Sequence, residues 1–216
     1  MLQRISYKDQ VYQYLKDALV RGELQTGQIY SEQQFADKLA ISRTPVREAV
    51  IRLTNEGMFE VYSNRGWGVR PVTADDLREI IEARIAVEGY SIRALCHLPT
   101  TDWQDTIHEL QECQQRSEAF AQDESHHFDY MKADTDFHSV LVACTGNRYL
   151  MELNGRMRLH IERATFRSLH RSRRNAMACR EHQRILNALE KKDEAQAMQA
   201  FSAHMEATAE AIGARL

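Results

Sequence analysis

One short segment constrains the fold more than any other, because a helical pattern in it passes directly into two β-prone runs. Ser42 is suited to cap a helix, and Pro45 then falls in the first turn, where a missing N–H costs little. An apolar stripe at helical spacing follows, and Gly57 ends it. The runs on either side of the turn at 63–66 are typical of a β-hairpin. The segment therefore predicts a helix joined directly to a hairpin.

Two further helices are predicted before this segment. Apolar residues between positions 11 and 19 recur at helical spacing, with Ser6 as a cap and Gly22 at the expected end. Ser31 and Gln34 form an S-x-x-Q capping box at the start of the second helix. Three helices and a hairpin within about seventy residues predict a winged helix-turn-helix.

The pattern changes at Thr73, after which only helices are predicted. A T-x-x-D capping box starts the first of six helices. We expect a mainly α fold, with an N-terminal winged helix-turn-helix domain at 1–72 and a C-terminal all-α helical bundle at 73–216. Residues 71–73 are the expected hinge between them. The apolar stripe of the first bundle helix is expected to consist of Leu77, Ile80, Ile81 and Ile85.

Composition indicates a cytoplasmic globular protein. Hydrophobic residues make up 43% of the chain and charged residues 27%. There is no apolar run near the roughly 18 residues needed to span a bilayer, and no signal-peptide pattern. The four cysteines show no CxxC spacing and are expected to be reduced. Residues 1–72 carry ten Lys and Arg against eight Asp and Glu, whereas the remainder carries eighteen against twenty-three, which suggests different partners for the two parts.

The third helix and the hairpin turn offer candidate DNA contacts. Arg43, Thr44 and Arg47 lie in the first turns of the helix, where donors and small side chains can face the major groove. The helix N-terminus itself favours a phosphate. At the wing tip, Arg65 and the flexible Gly66 can approach a DNA backbone or minor groove. The alternative is that these arginines are solvated helix residues.

The bundle contains candidate metal ligands on three helices. Asp134 and His138 are spaced i, i+4 and therefore point from one helix face. His182 and His204 border the apolar faces of the last two helices, and a helical hairpin turning near 191–193 can bring them together. Three or four nitrogen, oxygen or sulfur ligands must converge to hold a metal. These four residues are the predicted metal site.

Two alternatives remain open for this cluster. Buried histidines are often hydrogen-bonded core residues that bind no metal, so the bundle can instead hold a metal-free effector pocket. An open-coordination metal can also serve a metal-dependent hydrolase or lyase, although no general base is evident beside the ligands. Asp136 is only two residues from His138 and is expected to be solvated.

The N-terminal segment "SEQQFADKLAISRTPVREAVIRLTNEGMFEVYSNRGWGV" resembles the DNA-binding domain of GntR-family transcription regulators. The resemblance implies that the arginines and the threonine of "SRTPVREA", together with the wing glycine, contact operator DNA. In this sequence these are Arg43, Thr44, Arg47 and Gly66. Some members have a further DNA-contacting arginine where this chain has Gln33, so the operator sequence does not transfer.

The remainder is similar to the FadR-type branch of that family, whose C-terminal domain is called FCD, in its shorter, VanR-like, six-helix variant. Many members have a D-x-x-x-H pattern, a histidine in an "EH" context and a histidine on the last helix. These match Asp134, His138, His182 and His204. The resemblance implies a divalent metal (zinc, nickel or manganese) and a small organic acid or sugar acid as effector.

The resemblance also implies an arginine near the effector, and Arg84 is at that position. Arg158 and Arg163 are alternatives, because any arginine can clamp a carboxylate with two hydrogen bonds. We therefore expect a DNA-binding transcriptional regulator and not an enzyme. It is expected to be a homodimeric repressor that binds a palindromic operator in double-stranded DNA, responds to a small carboxylate and has no membrane partner.

Overall fold

The structure, a computed structural model, describes residues 6–169 and 174–214 of the 216-residue chain. The fold is mainly α-helical, as predicted. The chain divides into two compact units between Val72 and Thr73. In the described ranges, no helix is both long enough and apolar enough to cross a membrane.

The N-terminal unit contains three helices and a small antiparallel sheet. Its strand order is β1-β3-β2, with Tyr30 opposite Trp67 and Phe59 opposite Val69. The hairpin and the three helices agree with the winged helix-turn-helix prediction, whereas β1 was not predicted from the sequence. Its elements are α1 (Tyr7–Val20), β1 (Ile29–Tyr30), α2 (Glu32–Leu39), α3 (Arg43–Asn55), β2 (Phe59–Tyr62) and β3 (Gly66–Val69).

Trp67 organises the core of this unit. Its ring stacks on Phe59 with centroids 4.5 Å apart and also contacts Tyr30 and Phe35. Beside it, Gly66 has φ +118°, and a Cβ added there would lie 2.1 Å from the carbonyl oxygen of Tyr30. Glycine is therefore required at this position by the pairing of β1 with β3, independently of any contact with DNA.

Helix caps explain where α2 and α3 begin. The Ser31 hydroxyl accepts a hydrogen bond from the Gln34 N–H at 3.1 Å, so this half of the expected capping box forms. The reciprocal bond, from the Ser31 N–H to the Gln34 side chain, is not among the hydrogen bonds of the described residues. Ser42 occupies the N-cap of α3 but makes no capping hydrogen bond. Pro45, at the third helical position, has no N–H to donate and so removes one of the two usual capping donors.

The C-terminal unit is a bundle of six α-helices with a short 3-10 helix at Glu124–His126, within the described ranges. The Thr73–Asp76 capping box at its start forms as predicted. Its core joins side chains from all six helices, with α7 contributing Ile161, and Phe137 and Phe201 are among the most deeply buried. The helices are α4 (Ala74–Cys96), α5 (Thr100–Phe120), α6 (His127–Ala143), α7 (Arg148–Leu169), α8 (Asn175–Glu190) and α9 (Glu194–Ile212).

The predicted apolar stripe of α4 was wrong at one position. Ile81 is fully buried, but Ile85 is 37% exposed. The buried face instead includes Arg84 and Glu88, which form an ion pair with 2.7 Å between Nε and Oε1. The charged pair thus occupies part of the buried face, and Ile85 lies at its edge.

Candidate metal centre and nucleic-acid interface

Three histidines from three helices converge inside the C-terminal unit. His138 lies on α6, while His182 and His204 lie on α8 and α9, which are joined by a tight turn containing Lys192 with φ +54°. All three side chains are buried, and one nitrogen from each lies within 4.8 Å of the others. The Nε2 atoms of His182 and His204 are 3.3 Å apart. The structure thus brings together the three histidines that the sequence singled out.

Asp134 stands at the edge of this cluster. Its Oδ1 atom is 3.8 Å from Nε2 of His182 and accepts a hydrogen bond from the Tyr130 hydroxyl at 3.4 Å. The carboxylate lies one helical turn before His138, as the i, i+4 spacing predicts. A fourth, oxygen ligand is therefore available beside the three nitrogens.

Two of the three histidines each have a carboxylate within hydrogen-bonding distance of the Nδ1 atom. Oε2 of Glu88 lies 2.7 Å from Nδ1 of His138, and Oε2 of Glu181 lies 2.9 Å from Nδ1 of His204. Such partners fix the orientation of the imidazole ring and direct the other nitrogen toward a metal. Both Nε2 atoms are left to face the centre of the cluster.

The surroundings of the cluster shift the pKa values of Glu88, His182 and His204. Burial opposes ionisation of Glu88, but Arg84 and His138 hold the pKa of its carboxyl at about 2. Burial lowers the pKa of His182 well below its ordinary value. Burial also lowers the pKa of His204, and the bond to Glu181 offsets this only in part. Neutral imidazoles are the form that coordinates a metal.

The donor set fits a divalent transition metal. Two nitrogens bound to one zinc ion at about 2.0–2.1 Å in tetrahedral geometry lie about 3.3–3.4 Å apart, which matches the 3.3 Å between His182 and His204. Nδ1 of His182 is buried without a hydrogen-bond partner in the described part of the chain. Its ring is held instead by stacking on Phe137, with centroids 4.5 Å apart. Three imidazoles and a carboxylate are ligands that suit zinc or nickel.

A small cavity adjoins His138, and only two of the three candidate effector arginines are among the described residues that line it. Arg84 and Arg158 line it. Arg163 is buried, but it is not among the described residues that line the cavity. The other polar or charged residues of the lining are Glu88, Asp134, Thr135, His138 and Asn154.

Asp136 is not the solvated residue that the sequence suggested. Its carboxylate accepts a hydrogen bond from Arg158 at 2.7 Å and forms an ion pair with Arg116 at 3.4 Å. Arg158 also donates to Glu162 at 2.7 Å. Asp136 and His138 do point from different sides of α6, because residues two positions apart do not share a helix face. However, α5 and α7 supply arginines on the side of Asp136. Arg158 is therefore neutralised by two carboxylates.

A cleft in the N-terminal unit brings together most of the predicted DNA contacts. Arg43 and Arg47 of α3 line it with Arg65 and Gly66 of the hairpin. The Arg43 side chain is 64% exposed and pairs with Glu32 at 3.3 Å, an exposed ion pair of little energetic value. Among the described residues, Arg47 and Arg65 have no ion-pair partner. Their positive charge is therefore available to an anionic ligand.

The start of α3 lies beside this cleft, and the N–H groups of a first helical turn have no acceptor within their own helix. Because Ser42 does not cap the helix, its hydroxyl is not engaged with the N–H groups of the first turn. Thr44 is exposed on this turn but does not line the cleft. Gln33 does line it, and its amide donates to Asp37 at 2.7 Å. An exposed helix N-terminus beside arginines is an arrangement that binds phosphate.

Sequence reasoning missed the two supporting carboxylates. Glu88 follows Arg84 by four residues in an apolar helix, a spacing that signals a buried ion pair. Glu181 directly precedes His182 in the sequence, yet it bonds His204 on the next helix. The first had a local signal in the sequence, whereas the second depends on how α8 and α9 pack.

Comparison with protein families identifies both units. Residues 7–69 match the model of the bacterial regulatory proteins of the gntR family, and residues 79–207 match the FCD domain. The chain is a GntR-family transcriptional regulator with an FCD domain. This confirms the resemblance noted in the sequence. The family and its named members are transcriptional regulators, so the expectation that the chain is not an enzyme is confirmed and the hydrolase or lyase alternative is removed.

Relatives match along nearly the whole regulator. The HTH-type transcriptional regulator YdhC of Bacillus subtilis is 26% identical, covering 92% of this chain and 87% of its own. The HTH-type transcriptional repressor RspR of Escherichia coli is 23% identical, covering 94% and 87%. Among solved structures, E. coli McbR/YncC superimposes with a TM-score of 0.80 at 21% identity, covering 97% of this chain and 98% of that one. This likeness shows the shared fold.

Proposed function

We propose that this regulator is controlled by a small organic acid or sugar acid bound beside a divalent metal in the C-terminal unit. Asp134, His138, His182 and His204 are the proposed ligands. The observation that carries the proposal is the convergence of three buried imidazoles, two of them backed by carboxylates. A bound zinc, nickel or manganese ion would supply open coordination positions for an effector oxygen.

A metal-free form has been distinguished for the FCD domain of TM0439, so this type of domain can bind metal. That domain is 20% identical to this chain and superimposes with a TM-score of 0.51. The ligand assignment rests on the residues of the present chain, whose three buried imidazoles already converge.

Arg84 is the proposed effector-binding residue. It is buried and lines the cavity beside His138 and Asp134, so a carboxylate could contact both its guanidinium and the metal site. Arg158 lines the same cavity but is neutralised by Asp136 and Glu162. Arg163, which does not line it, is the weakest of the three candidates.

The N-terminal unit is the proposed reader of double-stranded DNA, through Arg43, Thr44, Arg47, Arg65 and Gly66. The N–H groups at the start of α3 would hold the phosphate backbone together with Arg47 and Arg65, which have no ion-pair partner in the described part of the chain. The arginines in the first turns of α3 would contact the bases, since an arginine that forms two hydrogen bonds recognises guanine in the major groove.

We propose a homodimeric repressor that acts in the cytoplasm on a palindromic operator. Two-fold symmetry in the protein requires matching half-sites in the DNA. The C-terminal unit exposes apolar side chains on α4 and α7, two helices that pack together, as expected where a second copy binds. They are Ile85, Tyr90, Tyr149, Met151 and Leu153.

Effector control follows from differential binding. A carboxylate that binds one arrangement of the dimer more tightly shifts the population toward it and changes operator affinity. An equal affinity for both arrangements would have no effect.

The test is elemental analysis of the purified chain and of a variant carrying His182→Ala and His204→Ala. We expect bound metal in the wild type and a loss of most of it in the variant, because two of four ligands are gone. His108→Ala, an exposed histidine of α5, is the matched control. Unchanged metal stoichiometry in the double variant would contradict the assignment.

A chelator distinguishes the remaining alternative, a regulator with a metal-free effector pocket. Under our proposal, chelation abolishes the thermal shift that the effector acid produces. If a screen of small organic acids finds a ligand whose shift survives chelation, the pocket works without metal.

A further inference from the structure

The C-terminal unit contains two hydrogen-bonded chains, each formed by an arginine, a glutamate and a histidine. Each of them ends on a proposed metal ligand. In the first, Arg84 donates to Glu88, whose other oxygen bonds Nδ1 of His138. In the second, Arg174 donates to Glu181, whose Oε2 bonds Nδ1 of His204. Each carboxylate is thus shared between an arginine and a histidine.

The two chains differ at the arginine. Arg84 is buried and lines the cavity next to His138. Arg174 is absent from the described lining of that cavity and donates a second bond to the Thr208 hydroxyl at 3.3 Å. A small anion entering the cavity would therefore meet the first chain and not the second.

A shared carboxylate transmits changes from one partner to the other. Glu88 is fully buried, so its negative charge is distributed between Arg84 and His138, with no contact to bulk water. When Arg84 turns to donate to another carboxylate, it neutralises Glu88 less. Glu88 then accepts more strongly from Nδ1 of His138, which raises the basicity of the opposite nitrogen and makes it a better metal ligand.

We infer that Glu88 is a positioning residue that couples carboxylate binding at Arg84 to metal binding at His138. The inference rests on the proposed function, since it requires a metal at the histidines and an acid at Arg84. In addition, the acid and the metal each strengthen the binding of the other through Glu88, beyond any direct bond between them. By linkage, the strengthening has the same factor in both directions.

The experiment is a competition titration that measures zinc affinity with and without acetate, used as the simplest carboxylate probe. The coupling factor is the ratio of the two zinc dissociation constants. It is compared in the wild type, in Glu88→Gln and in Glu181→Gln, which keep the size of each side chain but remove its charge. Glu181→Gln is the matched control, because it removes the carboxylate behind the other histidine.

Both variants should lose about 10–100-fold in zinc affinity, as is typical when the partner of a ligating histidine is removed. Their coupling factors should differ. We expect about fivefold or more in the wild type and in Glu181→Gln, and a value several-fold smaller in Glu88→Gln, where only direct contact between acetate and zinc remains. Equal coupling factors in the wild type and in Glu88→Gln would overturn the inference. A coupling factor reduced equally in Glu88→Gln and Glu181→Gln would overturn it as well.

A second variant keeps the test decisive if Glu88→Gln does not fold, since it leaves Arg84 buried without a counter-charge. Glu88→Asp keeps Arg84 and its counter-charge, but the shorter side chain can no longer bridge Arg84 and His138, so it should show a similarly reduced factor. A cobalt(II) absorption spectrum provides a readout that stability alone would not move: acetate should perturb it more in Glu181→Gln than in Glu88→Asp. An identical perturbation would also overturn the inference.

The outcomes separate this inference from the proposed function. If the wild type binds no zinc, the proposed metal site itself is wrong. If it binds zinc but acetate leaves its affinity unchanged, the coupling through Glu88 is wrong while the metal site stands.

Discussion

The N-terminal cleft and the C-terminal histidine cluster use charge in opposite ways. In the cleft, Arg47 and Arg65 have no ion-pair partner among the described residues, and the Arg43 side chain is 64% exposed. In the cluster, Arg84 and Glu88 are buried and paired with each other. The first site keeps its charges free in water, whereas the second fixes them inside the protein.

This difference predicts how each site fails when it is mutated. Exposed charges contribute little to folding, so their removal should affect ligand binding alone. Buried, hydrogen-bonded groups are coupled to the packing around them, so substitutions there should affect stability and binding together. The following predictions test that contrast, from the largest expected effect to the smallest.

The largest effect is expected for Phe137→Ala in the cluster. Phe137 is fully buried and stacks on His182, so its removal should leave a cavity and release that imidazole. We expect a loss of about 3–5 kcal/mol in the free energy of unfolding, measured by urea denaturation followed by circular dichroism. Tyr7→Ala, at a side chain that is largely exposed and lies outside the proposed dimer face, is the control and should change stability little. Equal stability of the two variants would contradict the contrast.

An intermediate effect, on binding alone, is expected for Arg47→Ala in the cleft. The binding free energy for a duplex selected from a random-sequence library by the wild-type protein should weaken by about 1–3 kcal/mol. The unfolding free energy should stay within about 0.5 kcal/mol of the wild type. Arg184→Ala, at an exposed arginine of α8, controls for lost surface charge and should bind normally. Normal DNA affinity of Arg47→Ala would refute the assigned recognition helix.

The smallest effect separates two serines of the N-terminal unit. Ser31 caps α2 through its hydroxyl, so Ser31→Ala should cost about 1 kcal/mol of stability. Ser42 makes no capping hydrogen bond, and Ser42→Ala should cost less than about 0.5 kcal/mol. Thermal denaturation compares the two variants directly. A larger loss in Ser42→Ala would show that its hydroxyl does cap α3.

The sequence predicted most helices well because their signals are local. Capping residues such as Thr73 and apolar spacing at 3.6 residues act within one helix, and six bundle helices were found in this way. Strand β1 was missed because its two residues exist as a strand only through pairing with β3. Ile85 was misplaced because the buried face of α4 includes the charged pair Arg84–Glu88, which apolar spacing alone does not reveal.

The candidate site divides in the same way. The spacing of Asp134 and His138 places both on one face of α6 whatever the surroundings, so half of the cluster could be derived from the sequence. That His182 and His204 approach within 3.3 Å depends on the packing of two separate helices. The bond from Glu181 to His204 likewise crosses between helices.

By itself, the sequence determined the helices, their caps and the residue types that could bind DNA or a metal, because these depend on neighbours a few positions away. Only the tertiary structure decided which charges are free and which are shared. It left Arg47 beside the hairpin without an ion-pair partner among the residues that the structure describes. It also enclosed Glu88 between an arginine and a histidine that is 50 residues away in the chain. Such long-range partners are set by the packing of whole helices, which no local pattern specifies.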